Sequence, residues 1–265
     1  MRISIDQSYG SAGKTPARQG RRRFLRRATA GLAVGGLGLA TLGTIGRPLP
    51  VRAQGALAER LVTLDDAVTQ ILSIARTAEQ LAVTFYSNGI ANADALGLSG
   101  DDLSYLKAAL VEEQIHQQFF AANGGQSLAE TFSFPKGAQT FSDLKTFIQT
   151  QQELEGVFDS AFLAAIKEFA AMGRPDLAQV AGQIACIEAE HRALGRVIGG
   201  LRPADNWAFT PVLIASVADA PQVVQDAGYL SPTDGNSYRY HEVSIEDAGV
   251  EQRVPFVASS GVGRG

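Results

Sequence analysis

The chain has 265 residues, with 23 Lys and Arg against 27 Asp and Glu, a formal charge of −4 and a single cysteine. One cysteine excludes an internal disulfide framework. Ten of the basic residues but only one acidic residue, Asp6, lie in residues 1–53, which leaves 13 basic against 26 acidic, a charge of −13 that argues against nucleic acid or an anionic membrane as partner and mildly concentrates cations.

Residues 1–53 read as a leader rather than as part of a fold. Arg21 and Arg22 open an R-R-x-F-L-R run, an Ala, Gly and Leu stretch follows over residues 28–45, and Val51-Arg52-Ala53 gives an A-x-A-like cleavage site. The run resembles the twin-arginine export signal. That resemblance implies the export machinery as a partner, a periplasmic or extracellular destination, and a mature chain starting near Gln54. The apolar stretch is short and glycine-rich, so no stable membrane anchor is expected.

The remainder is long enough for one domain with a full core. Four segments carry helical rather than strand periodicity. The first, over residues 63–88, places Val68, Leu72, Ala75, Ala82 and Tyr86 on one seam and breaks at Asn88-Gly89. The second starts at Ser99-Gly100-Asp101, carries Leu103, Leu106, Leu110 and Phe120, and stops at Asn123-Gly124-Gly125. After a longer link, the third begins at Ser142 as N-cap and runs to Met172, with Leu144, Ile148, Phe158, Phe162 and Phe169 inward. Pro175 opens the fourth, which carries Leu177, Ile184, Leu194 and Ile198 and ends at Gly199-Gly200. Short, long and short connections predict two antiparallel pairs joined by a crossover. The bundle is thus expected over residues 54–202. A tail over 203–265 contains one short helix, APQVVQDAGYL, packs on the bundle near Trp207 and Phe209, and fades into disorder by Ser259. Cys186, on an apolar helix, reads as a small core residue.

Polar residues interrupt these seams in a regular way. Glu113 and His116 on the second helix, and Glu188 and His191 on the fourth, stand at i, i+3 and face inward. Glu79 sits on the seam of the first helix and Glu155 on that of the third, whereas Glu153, Glu112 and Glu190 fall on outer faces. Glu79 to Glu113 is 34 residues and Glu155 to Glu188 is 33, so each half of the chain reads Glu, then Glu-x-x-His. Buried carboxylates need compensation. Two divalent cations close together need about four negative charges and bridging oxygens, and one imidazole each leaves positions open, a mixed set that suits iron and manganese. His241 reads as a surface histidine, and Tyr86 as core.

Glu on two helices and Glu-x-x-His on the other two resembles the ferritin-like di-iron carboxylate bundles. More narrowly, AEQLAVTFYSNGI and IEAEHRAL are similar to the bacterial ferritin-like domain family that includes desiccation-related proteins, over about residues 61–201. The resemblance implies an all-α fold, a ferritin-like four-helix bundle. It implies Glu79, Glu113, His116, Glu155, Glu188 and His191 as ligands of two Fe (alternatively Mn) per chain, and small oxidants, O2 or peroxide, as partners in stress protection. Iron storage in a homo-oligomer, or a stress-associated structural protein without catalytic activity, are the alternatives. Gly156 departs from helix preference directly after Glu155.

Overall fold

The computed structural model describes residues 51–246 and 248–255, with side chains from residue 63 onward. The chain divides into two units, Met1–Ala56 and Leu57–Gly265. Of the first, only the opening backbone of a helix is described. The expected leader, apart from the backbone of Val51, Arg52 and Ala53, and the expected disorder from Ser259 lie outside the described residues.

Four long helices carry the fold: α1 (Val51–Ala91), α3 (Gly100–Ala122), α4 (Leu144–Ala171) and α5 (Pro175–Ile198), with a single turn, α2 (Ala93–Leu96), after the first. Their ends follow local chemistry. Asp143 caps α4, its carboxylate accepting the Thr146 amide at 2.8 Å. Ser142, the expected cap, turns its hydroxyl back to the Ala138 carbonyl instead. Gly173, at φ 74°, adopts the left-handed conformation that follows α4. The break expected at Asn88-Gly89 does not occur, because α1 continues to Ala91. Gly89 is a packing position: the Phe147 ring would lie 2.5 Å from any Cβ placed there.

Residue pairs fix the helix directions. Arg76 donates to the Gly125 carbonyl while Glu79 faces His116, so α1 and α3 are antiparallel. Phe147 meets Gly89 and Gln151 meets Tyr86, which makes α4 antiparallel to α1. Ile148 meets Gly199 and Gln152 meets Arg192, which makes α5 antiparallel to α4. Helices α3 and α4 therefore run the same way, and residues 123–143 must travel the length of the bundle. They do so along α1. The Leu128 amide donates to Thr77 Oγ1 at 3.0 Å, Ser127 donates to Gln80 at 2.6 Å, and Phe134 and Phe141 close on Phe85. The fold is all-α, two antiparallel pairs joined by a crossover.

The expected seam residues Val68, Leu72, Tyr86, Leu106, Phe120, Phe158, Phe162 and Ile184 are buried. A second apolar centre comes from the crossover. Phe85 stacks on Phe147 with ring centroids 4.5 Å apart and contacts Phe134 and Phe141 at 5.9 and 6.0 Å. The tail adds to it. On the crossover, β1 (Thr131–Phe132) pairs antiparallel with β2 (Tyr238–Arg239) of the tail, a pairing that no strand pattern announced. The tail helix α6 (Ala220–Asp226) is shorter than the stretch expected, and follows a 3-10 turn, Val217–Asp219. Phe209, expected against the bundle, is 91% exposed. The reason is local: Ser160 Oγ accepts both the Leu213 and Ile214 amides, at 2.7 and 2.8 Å, which seats Ile214 in the core and turns the preceding residues outward.

Phe85→Ala should cost about 3–5 kcal/mol by deleting the ring that joins α1, α4 and the crossover. Urea unfolding measures it; a cost below about 1 kcal/mol would mean the aromatic cluster collapses onto the gap.

Candidate metal centre

The six residues singled out by the repeat converge. Glu79 comes from α1, Glu113 and His116 from α3, Glu155 from α4, and Glu188 and His191 from α5. The four carboxylates are at most 1% exposed, His191 is 2% exposed, and the His116 side chain keeps 12% of its surface. Two groups of four form, Glu79–Glu113–His116–Glu188 and Glu113–Glu155–Glu188–His191, each offering donor atoms within 4.8 Å of one another.

Glu113 and Glu188 belong to both groups, and each turns one oxygen to either side. Glu113 Oε2 lies 3.5 Å from His116 Nδ1, while its Oε1 lies 3.1 Å from His191 Nδ1. Glu188 Oε1 is 3.7 Å from His116 Nδ1, and its Oε2 is 3.6 Å from His191 Nδ1. Glu79 Oε2 completes the first group at 3.7 Å from His116, and Glu155 Oε1 the second at 3.9 Å from His191. The arrangement offers two adjacent cation positions with two shared carboxylates.

The donor set fits a pair of cations. Both oxygens of Glu79, Glu113 and Glu188, Oε2 of Glu155, and Nδ1 of both histidines are buried without a hydrogen-bond partner. Unpaired buried groups of this kind are costly and rare in folded proteins. Cations at these positions would satisfy all nine atoms at once.

Neighbouring side chains hold the set in place. His191 Nε2 lies 2.8 Å from Glu112 Oε2, which turns Nδ1 toward the carboxylates. Glu112 was expected to face water; it sits at the α3–α5 margin, close enough to reach across. Tyr86 is fully buried, as a core residue should be, yet its hydroxyl also donates to Glu155 Oε1. Gln151 Nε2 donates to Tyr86 Oη at 3.1 Å and to the His191 carbonyl at 2.7 Å. That side chain fits only against a glycine, since a Cβ on Gly195 would lie 1.7 Å from its Oε1. Gly156 faces the Trp207 ring, which in turn stacks on the Arg192 guanidinium at 3.4 Å. Glu153, Glu190 and His241 are exposed, as their helix faces or tail position predict. Cys186 is exposed rather than core, because it precedes Glu188 by two residues and so points some 200° away from the seam.

Electrostatics follow from burial. Desolvation, reinforced by the charge of Glu113, holds Glu79 well above the usual carboxylate range; desolvation and Glu188 do the same to Glu155. Burial also works to raise Glu113, but Glu79, His116 and His191 outweigh it and hold that carboxyl low. For His191, burial works downward and is outweighed by Glu112, Glu113 and Glu188, which keep the imidazole's proton affinity high. A further acid, Asp159, was missed by the sequence reading. It lies one turn beyond Glu155 and is 3% exposed, with Oδ2 unpartnered, and burial and Glu188 push it up to about 7. Its spacing of four from Glu155 was the available signal.

The sequence profile of the ferritin-like domain matches residues 67–199, half of the chain and a span within which all six residues lie. The chain belongs to the ferritin-like domain family. No curated protein and no solved structure matches it. In this ferritin-like domain, each of the four long helices of the bundle supplies at least one member of the buried cluster.

Because Asp159 is raised from about 3.9 when unfolded to about 7 when folded, its contribution to stability is present below pH ~4 and is lost as pH rises towards 7. In metal-free protein, wild type should therefore lose stability relative to Asp159→Asn across that interval. Urea unfolding of both at several pH values checks this, and a constant difference would overturn it.

Proposed function

We propose that the chain binds two divalent metal ions, iron or alternatively manganese, with Glu79 and His116 serving one, Glu155 and His191 the other, and Glu113 and Glu188 shared. The observation that carries this reading is the two-sided placement of Glu113 and Glu188 between the two histidines, with every facing atom unpaired. Ions of this kind would supply electrons to O2 or peroxide, which makes redox chemistry in stress protection the function we favour.

The chain's own groups prepare that chemistry. Glu112 fixes the tautomer of His191, so that Nδ1 rather than Nε2 presents its lone pair. Tyr86 holds one oxygen of Glu155 and leaves the other free. His116 retains contact with solvent and gives ions an entry side, whereas His191 is enclosed. Burial favours the protonated form of Glu79 and Glu155 and metal binding favours the carboxylates, so affinity should rise with pH. We place the protein outside the cytoplasm, exported through the twin-arginine route, where its net charge of −13 after residue 53 favours cation capture. The desiccation-related branch remains the narrower kinship we propose, on the strength of AEQLAVTFYSNGI and IEAEHRAL.

Elemental analysis of protein purified without chelators should find two Fe or Mn per chain. Glu188→Gln, at a shared position, should lose both; Glu79→Gln should lose only the ion on the His116 side. No metal after anaerobic Fe(II) addition, or equal loss in both variants, would sink this reading. Separately, Glu112→Ala should lower metal affinity about 10–100-fold with the fold retained, read by competition with a chelator; unchanged affinity would remove Glu112 from the site.

A further inference from the structure

Between α1, the crossover and α6 lies a cavity of about 220 Å³, opening to solvent past Leu128, which is 59% exposed. Ile74, Leu81, Phe132 and Val224 are among its walls, and Thr77 is the one lining residue with a side-chain heteroatom. That hydroxyl is committed: it donates to the Ser73 carbonyl at 2.8 Å and accepts the Leu128 amide at 3.0 Å. Water in such a space finds too few partners, so an apolar occupant displaces it favourably. A smaller cavity of about 30 Å³ lies beside it, and Ile74, Ala78, Ala220 and Val224 line both. Its lining includes Ala75, one turn before Glu79, and Phe158, one turn after Glu155.

We propose that this cavity is a binding site for an uncharged, apolar small molecule of about eight to ten carbon atoms, separate from the metal centre. The size follows from scale, since an apolar cavity of about 150 Å³ holds one benzene. The class follows from the walls, because no lining residue offers a charge or a free hydrogen-bonding side chain to a polar ligand. The ligand enters past Leu128 and lies along α1, its inner end directed at the turn that carries Glu79.

Titration of the full chain with naphthalene, followed in amide NMR spectra, tests this. Saturable binding of one molecule should appear, with shifts centred on Ile74, Ala129 and Val224. Naphthalene-2-sulfonate, of similar shape but charged, should bind at least about tenfold more weakly. Ala78→Leu and Ala129→Phe each fill the cavity and should weaken naphthalene at least about tenfold; thermal unfolding shows which is folded, and either suffices. Binding should be the same in chelator-treated and Fe(II)-loaded protein, so failure of the metal reading leaves this one standing. No saturable binding, shifts centred elsewhere, undiminished affinity in a folded filled variant, or binding only with metal present would overturn it.

Discussion

Four fully buried glutamates share one cross-section of this bundle, and the rest of the molecule is arranged around the cost of putting them there. Carboxylates taken out of water need counter-charge, protons or hydrogen bonds. Here the protein itself supplies only part of that. Two imidazoles and one tyrosine hydroxyl compensate incompletely, burial holds Glu79 and Glu155 above the usual carboxylate range, and nine donor atoms are left facing one another. An apolar core above and below the layer, from Leu72 and Phe120 at one end to Phe85 and Phe147 at the other, keeps the helices from shearing apart to let water in.

The two halves of the near-repeat are alike in ligand type and unlike in surroundings. Around His191 the side chains of Glu112, Gln151, Tyr86 and Glu155 form a connected set, anchored by Gly195 giving Gln151 its space. Around His116 there is no comparable bracing among the described residues, and the ring touches solvent. A pair of ions held here would therefore sit in different fields, one rigidly framed and the other more exchangeable.

The crossover and tail form a second layer over α1. Tyr240 and the Val243 amide both end on Gln114 Oε1, next to Glu113, so the tail reaches the helix that supplies Glu113 and His116. Ser133 ties the crossover to Gly228 and Ser231 in the same manner. The apolar cavity lies where α1, crossover and α6 meet without filling the space between them.

The sequence alone determined the helices and the six inward polar positions, because both rest on local periodicity: i, i+3 and i, i+4 spacing puts side chains on one face whatever the partner helix is. It also determined the crossover, since connection lengths of short, long, short leave few ways to pair four helices. Only the tertiary structure decided what crosses between helices. Glu112 lay on an outer face by its own helix and became the partner of His191 because α5 passes within reach. Gly89 read as a break and became the seat of Phe147. Asp159 and Gln151 had ordinary local contexts and acquired their roles from Glu188, Arg192 and Gly195. Periodicity fixes which way a side chain points along its own helix; what it meets there depends on helix distance and register, which no single segment encodes.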